Sequence, residues 1–272
     1  MDGDREIFGL GSETILPSNG LLYDGKVPDG RVQILPMTTR EEKMIASSGS
    51  GAAATAVDTL ITRCVRGLNG VAADDLVVGD RLHLIMAIRA VSLGDDYEFS
   101  IRCESCNAKF KSTVKIPDDL TTLYLKKGFE EPFKVELPVS GALLKLRLLR
   151  GKDEKDIAKY SERASKNASR AEDQSYTYRI VKQIASMNLT PDDSETEIIN
   201  DTPEATRKLM DIYDTLQVKD SVELRNVFSE NDCGVDTNLE HNCPKCNAYF
   251  DASMPMQIEF FRPGGNRGIR YL

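Results

Sequence analysis

Cys103-Glu-Ser-Cys106-Asn-Ala-Lys-Phe110 and Cys243-Pro-Lys-Cys246-Asn-Ala-Tyr-Phe250 are one motif written twice, and they hold four of the six cysteines in the chain. In each copy two residues separate the thiols, and a turn residue and a strand-like aromatic follow. This is how a tetrahedral Zn²⁺ takes two sulfurs from one tight loop. Together Cys103, Cys106, Cys243 and Cys246 supply four thiolates and fill the coordination sphere. A filled sphere leaves no position for water or substrate, so the site is expected to be structural rather than catalytic. A thiol–disulfide centre is the main rival. It needs its first thiol at a helix N-terminus, where the dipole lowers the pKa. Both pairs here are flanked by strand-like residues instead, and a single redox cycle has no use for two copies.

Four thiolates around Zn²⁺ carry a net charge of about −2, which nearby donors must offset. Arg102, Lys109, Lys111 and Lys245 lie close enough in sequence to do so, although the same residues also suit an ordinary solvated strand face. Cys233 and His241 are possible substitute ligands, but His241 falls on the strand side of its loop rather than in it. Cys64 lies on an apolar helical stripe and reads as a small core hydrophobe. His83 stands alone in an apolar helix with no second ligand at helical spacing, as a satisfied structural histidine does.

No catalytic grouping emerges. The chain has two histidines, no phosphate-cradling glycine motif and no nucleophile elbow. Asp74-Asp75, Asp95-Asp96 and Asp118-Asp119 fall at helix starts or turns, where aspartate caps backbone amides. The expectation is a protein that is not an enzyme. A formal charge of −8 and a pI near 5.0 weigh against binding to nucleic-acid backbones. The N-terminus is polar and acidic, unlike a secretory signal, and the longest apolar stretch, Leu82–Leu93, is too short to span a bilayer. Synthesis and assembly in the cytoplasm are expected, where paired cysteines are more often metal ligands than disulfides.

The elements that must position the cysteines can be read from periodicity. Residues 1–36, with Leu16-Pro-Ser-Asn-Gly-Leu-Leu-Tyr23, mix apolar anchors with turn residues and read as an extended N-terminal arm, or else as a packed loop. Thr38 and Thr39 precede Glu41 and Glu42 at capping-box spacing and open a short helix. That helix dissolves in the Ser47–Gly51 connector. Val57, Leu60, Ile61, Cys64, Val65 and Leu68 form one helical stripe, and residues 79–93 a helix apolar around most of its circumference. These belong to a helical core over 37–96. Tyr97, Phe99 and Ile101 alternate as a strand into Cys103, so 97–116 and 235–256 form a discontinuous zinc-ribbon-like unit of two β-hairpins.

An inserted body spans 117–234. Phe133, Val135 and Leu137 pair across a turn with Leu144, Leu146 and Leu148, and helices follow at about 153–168 and 173–187. An acidic loop at 191–201, a helix opened by Pro203 and a last helix after Ser221 complete the insert. Residues 257–272 form a C-terminal docking tail whose Arg262–Leu272 segment has three arginines and no acid. The fold class expected is α+β.

Set in order, these pieces resemble a known family, the baseplate hub proteins of T4-like contractile-tailed bacteriophages. The resemblance rests on Leu16–Tyr23, Leu35-Pro-Met-Thr-Thr-Arg-Glu-Glu42, Gly79-Asp-Arg-Leu-His-Leu84 with Ile88-Arg89, Leu148-Leu-Arg-Gly-Lys-Asp153, both Cys pairs and Phe260-Phe261-Arg-Pro263. It implies a small tail component that takes part in building the hub of the baseplate, either retained in the virion or acting as an assembly factor. The expectation is a zinc-stabilised structural protein of the viral tail baseplate, bound to other tail proteins through its N-terminal arm and C-terminal tail. The resemblance implies no catalytic residues. Two alternatives follow from the same residues: an assembly chaperone absent from the mature virion, and a nucleic-acid-binding zinc ribbon.

Overall fold

The computed structural model describes residues 11–47, 53–166, 174–190, 196–256 and 258–261. The connector from Ser48, the loop around Asp192 and the segment from Arg262 lie outside them. Strands β1 (Ser12–Ile15), β2 (Arg31–Ile34) and β3 (Val65–Arg66) form an antiparallel sheet in that order, with Ser12 opposite Ile34 and Gln33 opposite Arg66. Residues 16–30 fold back between β1 and β2 and bury Leu16, Tyr23 and Val27. Asn19 and Gly20 take positive φ at that turn, and a Cβ on Gly20 would sit 2.0 Å from the Val27 carbonyl oxygen. Of the two readings of this stretch, the packed loop fits residues 11–36 better than the extended arm, because Leu16, Tyr23, Val27, Val32 and Ile34 join the first core; residues 1–10 lie outside the description. The turn residues that resemble a solvated arm are the ones a tight buried reversal requires.

Helix α1 (Thr39–Ser47) opens on the expected capping box, with the Thr38 amide donating to Glu41 Oε2 at 2.8 Å. Helix α2 (Ala53–Cys64) buries Leu60, Ile61 and Cys64 along one stripe, and Cys64 is a core residue as expected. Helix α3 (Val78–Leu93) is buried on several sides and serves two cores at once. Its Leu84 and Ile88 face the core shared with the β1–β3 sheet and α2, while Ile85 and Met86 face the core under the cysteine hairpins.

Strands β4 (Asp96–Arg102) and β5 (Lys109–Lys115) form the first hairpin. The short strand β6 (Thr121–Leu123) follows. Strands β7 (Phe133–Glu136) and β8 (Leu143–Leu146) pair with Val135 opposite Leu144, as the alternation predicts. After helices α4 (Gly151–Lys166) and α5 (Gln174–Val181) the chain departs from expectation. Residues Ile184–Asn188 are a strand, β9, rather than the end of a helix. Ile180, Ile184 and Met187 fit helical spacing, but β8 offers an open edge, and pairing on that edge overrides local propensity. With β10 (Ile198–Ile199) the sheet order is β10-β9-β8-β7.

Helix α6 (Pro203–Thr215) begins with Thr202 capping the Ala205 amide at 3.1 Å and Pro203 in its first turn. Helix α7 (Val218–Asn231) starts before Ser221, and Leu224 and Phe228 bury against the four-stranded sheet. Strand β11 (Gly234–Asp236) then pairs with β6, so the insert leaves and re-enters through one two-stranded sheet. Strands β12 (Asn238–Asn242) and β13 (Tyr249–Ser253) form the second cysteine hairpin, and α8 (Ile258–Phe261) buries Phe260 completely. The fold is α+β.

Candidate metal centre

Each cysteine pair sits at the tip of its hairpin, and the two tips are built alike. The Cys103 amide donates to Ala108 O at 2.9 Å and the Asn107 amide to Cys103 O at 2.9 Å. In the other loop Cys243 bonds Ala248 O at 3.0 Å and Asn247 bonds Cys243 O at 2.8 Å. Asn107 and Asn247 both have φ of 56°. Asparagine tolerates this left-handed conformation better than most side chains, and it turns the chain back without disturbing the preceding thiol. The sequence repeat therefore encodes one loop geometry twice.

The hairpins bring all four ligand atoms together. Every sulfur of Cys103, Cys106, Cys243 and Cys246 lies within 4.8 Å of the other three. Across the hairpins Cys103 Sγ is 3.6 Å from Cys246 Sγ, and Cys106 Sγ is 3.7 Å from Cys243 Sγ. A regular tetrahedron with Zn–S bonds of about 2.3 Å has an edge of about 3.8 Å, so the donor set fits Zn²⁺ in type, number and spacing. None of the four is in a disulfide. When bound, such an ion supplies cross-linking and charge, not a reactive position.

The thiols also show why the cluster suits a cation. Desolvation raises Cys243, yet the amides of Cys246 and Lys245 and the Cys103 and Cys246 thiols bring it down to about 6. Cys246 is pushed up to about 12, because the Ala248 amide, which lowers it, is outweighed by the Cys106 thiol, desolvation and the remaining sulfurs. The Cys243 thiolate forms readily and Cys246 then resists ionisation. Full ionisation at this spacing calls for a positive ion at the centre.

Aromatic packing holds the hairpins together beneath the sulfurs. Phe110 and Phe250 meet edge to face at 6.3 Å, and His241 lies between Phe99 and Phe250 at 6.1 and 5.8 Å. His241 Nδ1 contacts Ser112 Oγ at 3.3 Å, so this histidine serves the joint between the hairpins. Cys233 belongs to the core beside α3, and burial raises its thiol pKa. Lys111, expected to offset sulfur charge, instead pairs with Glu98 at 2.6 Å.

Residues 21–262 match the family model described as T4 bacteriophage base plate protein. The chain belongs to this family. The matched span includes both cysteine pairs and every helix of the fold. No curated protein and no solved structure gives a significant match. Membership makes the protein a structural part of the phage baseplate that works with other tail proteins. No helix among the described residues is long and apolar enough to cross a membrane.

In this base plate protein the remaining polar residues of interest are structural. His83 Nε2 contacts Thr14 Oγ1 at 2.7 Å, tying α3 to β1. Asp74 and Asp75 pair with Lys155 at 3.0 Å and Lys152 at 2.9 Å, joining the loop before α3 to α4. Of the expected caps, Asp119 is seen accepting from the Lys115 amide at 2.7 Å. Sequence reasoning missed Asp80, which is fully buried in α3. The available signal was an acid at the start of a helix otherwise apolar on most sides.

Proposed function

We propose that this base plate protein is a hub subunit of a contractile tail, held rigid by one structural Zn²⁺ shared by Cys103, Cys106, Cys243 and Cys246. The observation that carries the zinc reading is the meeting of four sulfurs within 4.8 Å from loops far apart in sequence. The hub assignment rests on the resemblance of the ordered motifs, and family membership supports it at the level of the baseplate. A shared ion fixes the two hairpins at one angle. It also closes the insert at its base, because β6 and β11 lie just beyond the two hairpins in the chain. A building block needs that rigidity, since its partners are recognised by surfaces whose relative positions must not drift. The partners are other baseplate and tail proteins, met in the host cytoplasm during assembly. The arginine-bearing segment 262–272 and residues 1–10 are the proposed contact arms, and neither nucleic acid nor membrane is a partner.

Metal analysis of freshly prepared, reduced protein tests the clamp. One equivalent of zinc is expected, and less than about half an equivalent excludes it. A mass-spectrometric inventory of purified particles tests the hub role. Presence at fixed copy number supports it, whereas recovery from infected cells but not from particles would make the protein an assembly chaperone. Salt-sensitive binding to labelled DNA or RNA at physiological ionic strength would instead favour the nucleic-acid reading.

A further inference from the structure

We propose that the four-thiol site is also a modification site for peroxide-class oxidants, which convert it into two disulfides running between the hairpins, Cys103–Cys246 and Cys106–Cys243. The inference builds on the zinc reading only for its starting state; its geometry is that of the thiols alone. Cys103 Sγ approaches Cys246 Sγ to 3.6 Å and Cys106 Sγ approaches Cys243 Sγ to 3.7 Å, and each of these approaches joins one hairpin to the other. Forming a bond of about 2.05 Å from there asks for modest side-chain rotation.

Exposure divides the labour within each pair. Cys246 is exposed and its neighbour Cys103 is 2% exposed; Cys106 is half-buried and its neighbour Cys243 is 0% exposed. Each pair thus has an outer sulfur that meets the oxidant and an inner sulfur that resolves the product. The outer sulfur attacks the peroxide as its thiolate, the O–O bond breaks, and the released hydroxide takes up a proton and leaves as water, with the outer sulfur now a sulfenic acid. The inner thiol attacks that sulfur, the S–O bond breaks, and a second water leaves as the S–S bond forms. Per pair, two thiols and one hydrogen peroxide give one disulfide and two waters. From metal-held thiolates the two pairs together also take up four protons and free the ion.

The consequence lies in what the new bonds connect. A disulfide within one Cys-x-x-Cys loop would leave the hairpins free to part once the metal is gone. Bonds between hairpins keep the base of the insert closed. Outside the cell, where thiols are no longer kept reduced, the clamp would persist in covalent form.

The test is peroxide treatment of the intact chain, followed by non-reducing peptide mapping and simultaneous measurement of released zinc. Expected are peptides linking Cys103 to Cys246 and Cys106 to Cys243, a chain lighter by four hydrogens, and unmodified Cys64 and Cys233, which are 0% and 5% exposed. A Cys106→Ser chain should still form the Cys103–Cys246 link, which keeps the pairing testable if the doubly linked product is hard to isolate. Recovery of Cys103–Cys106 and Cys243–Cys246 instead, or over-oxidation of the outer sulfurs without any link, overturns the proposal. If the links form in protein that holds no zinc, the zinc reading fails and this one stands. If zinc-loaded protein resists peroxide, the reverse holds.

Discussion

Ser18 donates to the buried carboxylate of Asp80 twice, through its amide to Oδ1 at 2.8 Å and through its hydroxyl to Oδ2 at 2.5 Å. The Tyr23 hydroxyl donates to the same Oδ2 at 2.5 Å and accepts from the Val77 amide at 3.1 Å. Two motifs that look unrelated in the sequence, Leu16–Tyr23 and Gly79–Leu84, are thereby one polar joint inside the first core. Removing the acceptor strands three donors where water cannot reach. Asp80→Ala should cost about 2–4 kcal/mol of unfolding free energy in a urea titration. Tyr23→Phe should cost about 1 kcal/mol, and the double variant less than the sum, because the two groups share one network.

Gly79 and Gly234 mark the closest approach of α3 to the strand that ends the insert. A Cβ on Gly79 would lie 1.8 Å from the Cys233 carbonyl oxygen, and one on Gly234 would lie 2.9 Å from Gly79 Cα while φ there is +142°. Both obstacles are backbone, so no side-chain rotation relieves them. Gly79→Ala is expected to lower the thermal midpoint by several degrees, for a cost of about 2–3 kcal/mol. Gly128→Ala, with nothing within 4 Å but φ of +80°, should cost clearly less. Equal midpoints for the two variants would contradict the close approach.

Arg147 grips Asp153 with two bonds of 2.7 and 2.8 Å, and the Arg150 amide adds a third at 2.9 Å. Burial alone would raise the Asp153 pKa, but Arg147, the Arg150 amide and Lys182 hold it below the ordinary value of 3.8. A carboxylate whose pKa is lower folded than unfolded adds stability that is complete above its unfolded pKa. That stability is lost as pH falls through the folded pKa. Asp153→Asn should therefore be destabilised by about 3 kcal/mol at pH 7. The gap to the unsubstituted protein should stay level down to about pH 5 and narrow below about pH 4. A gap that widens on acidification would reverse the assignment.

What the sequence disclosed, and what it hid, follows from how local each determinant is. The cysteine loops were legible because spacing, turn residue and aromatic all fall within eight positions. The β7–β8 hairpin was legible because Phe133, Val135, Leu144 and Leu146 alternate on either side of a short turn. Strands β6 and β11 were not, since each is three residues long and finds its partner across the whole insert. Ile184–Asn188 was misread because its apolar spacing fits both periods, and the deciding factor was the free edge of β8. Asp80 stayed hidden for a related reason: Ser18 and Tyr23 approach it only after the chain has folded back.

The clamp itself makes the most consequential prediction. Ligands at 103–106 and 243–246 enclose the whole insert, so the ion acts on the unfolded chain as a long-loop cross-link does, worth on the order of 4 kcal/mol in the entropy picture. The aromatic contacts Phe110–Phe250 and Phe99–His241 remain when the metal goes, so the hairpins should stay associated but open more often. Cys243→Ser should release the zinc and lower the denaturation midpoint. It should also speed hydrogen exchange in β6, β11 and both hairpins while leaving the β7–β10 sheet near its original protection. Cys64→Ala removes a buried thiol from the first core and should keep its full equivalent of zinc. If Cys243→Ser instead exposes the four-stranded sheet as fast as the hairpins, the insert does not fold as a separate unit, and the ion supports the entire chain rather than its joint.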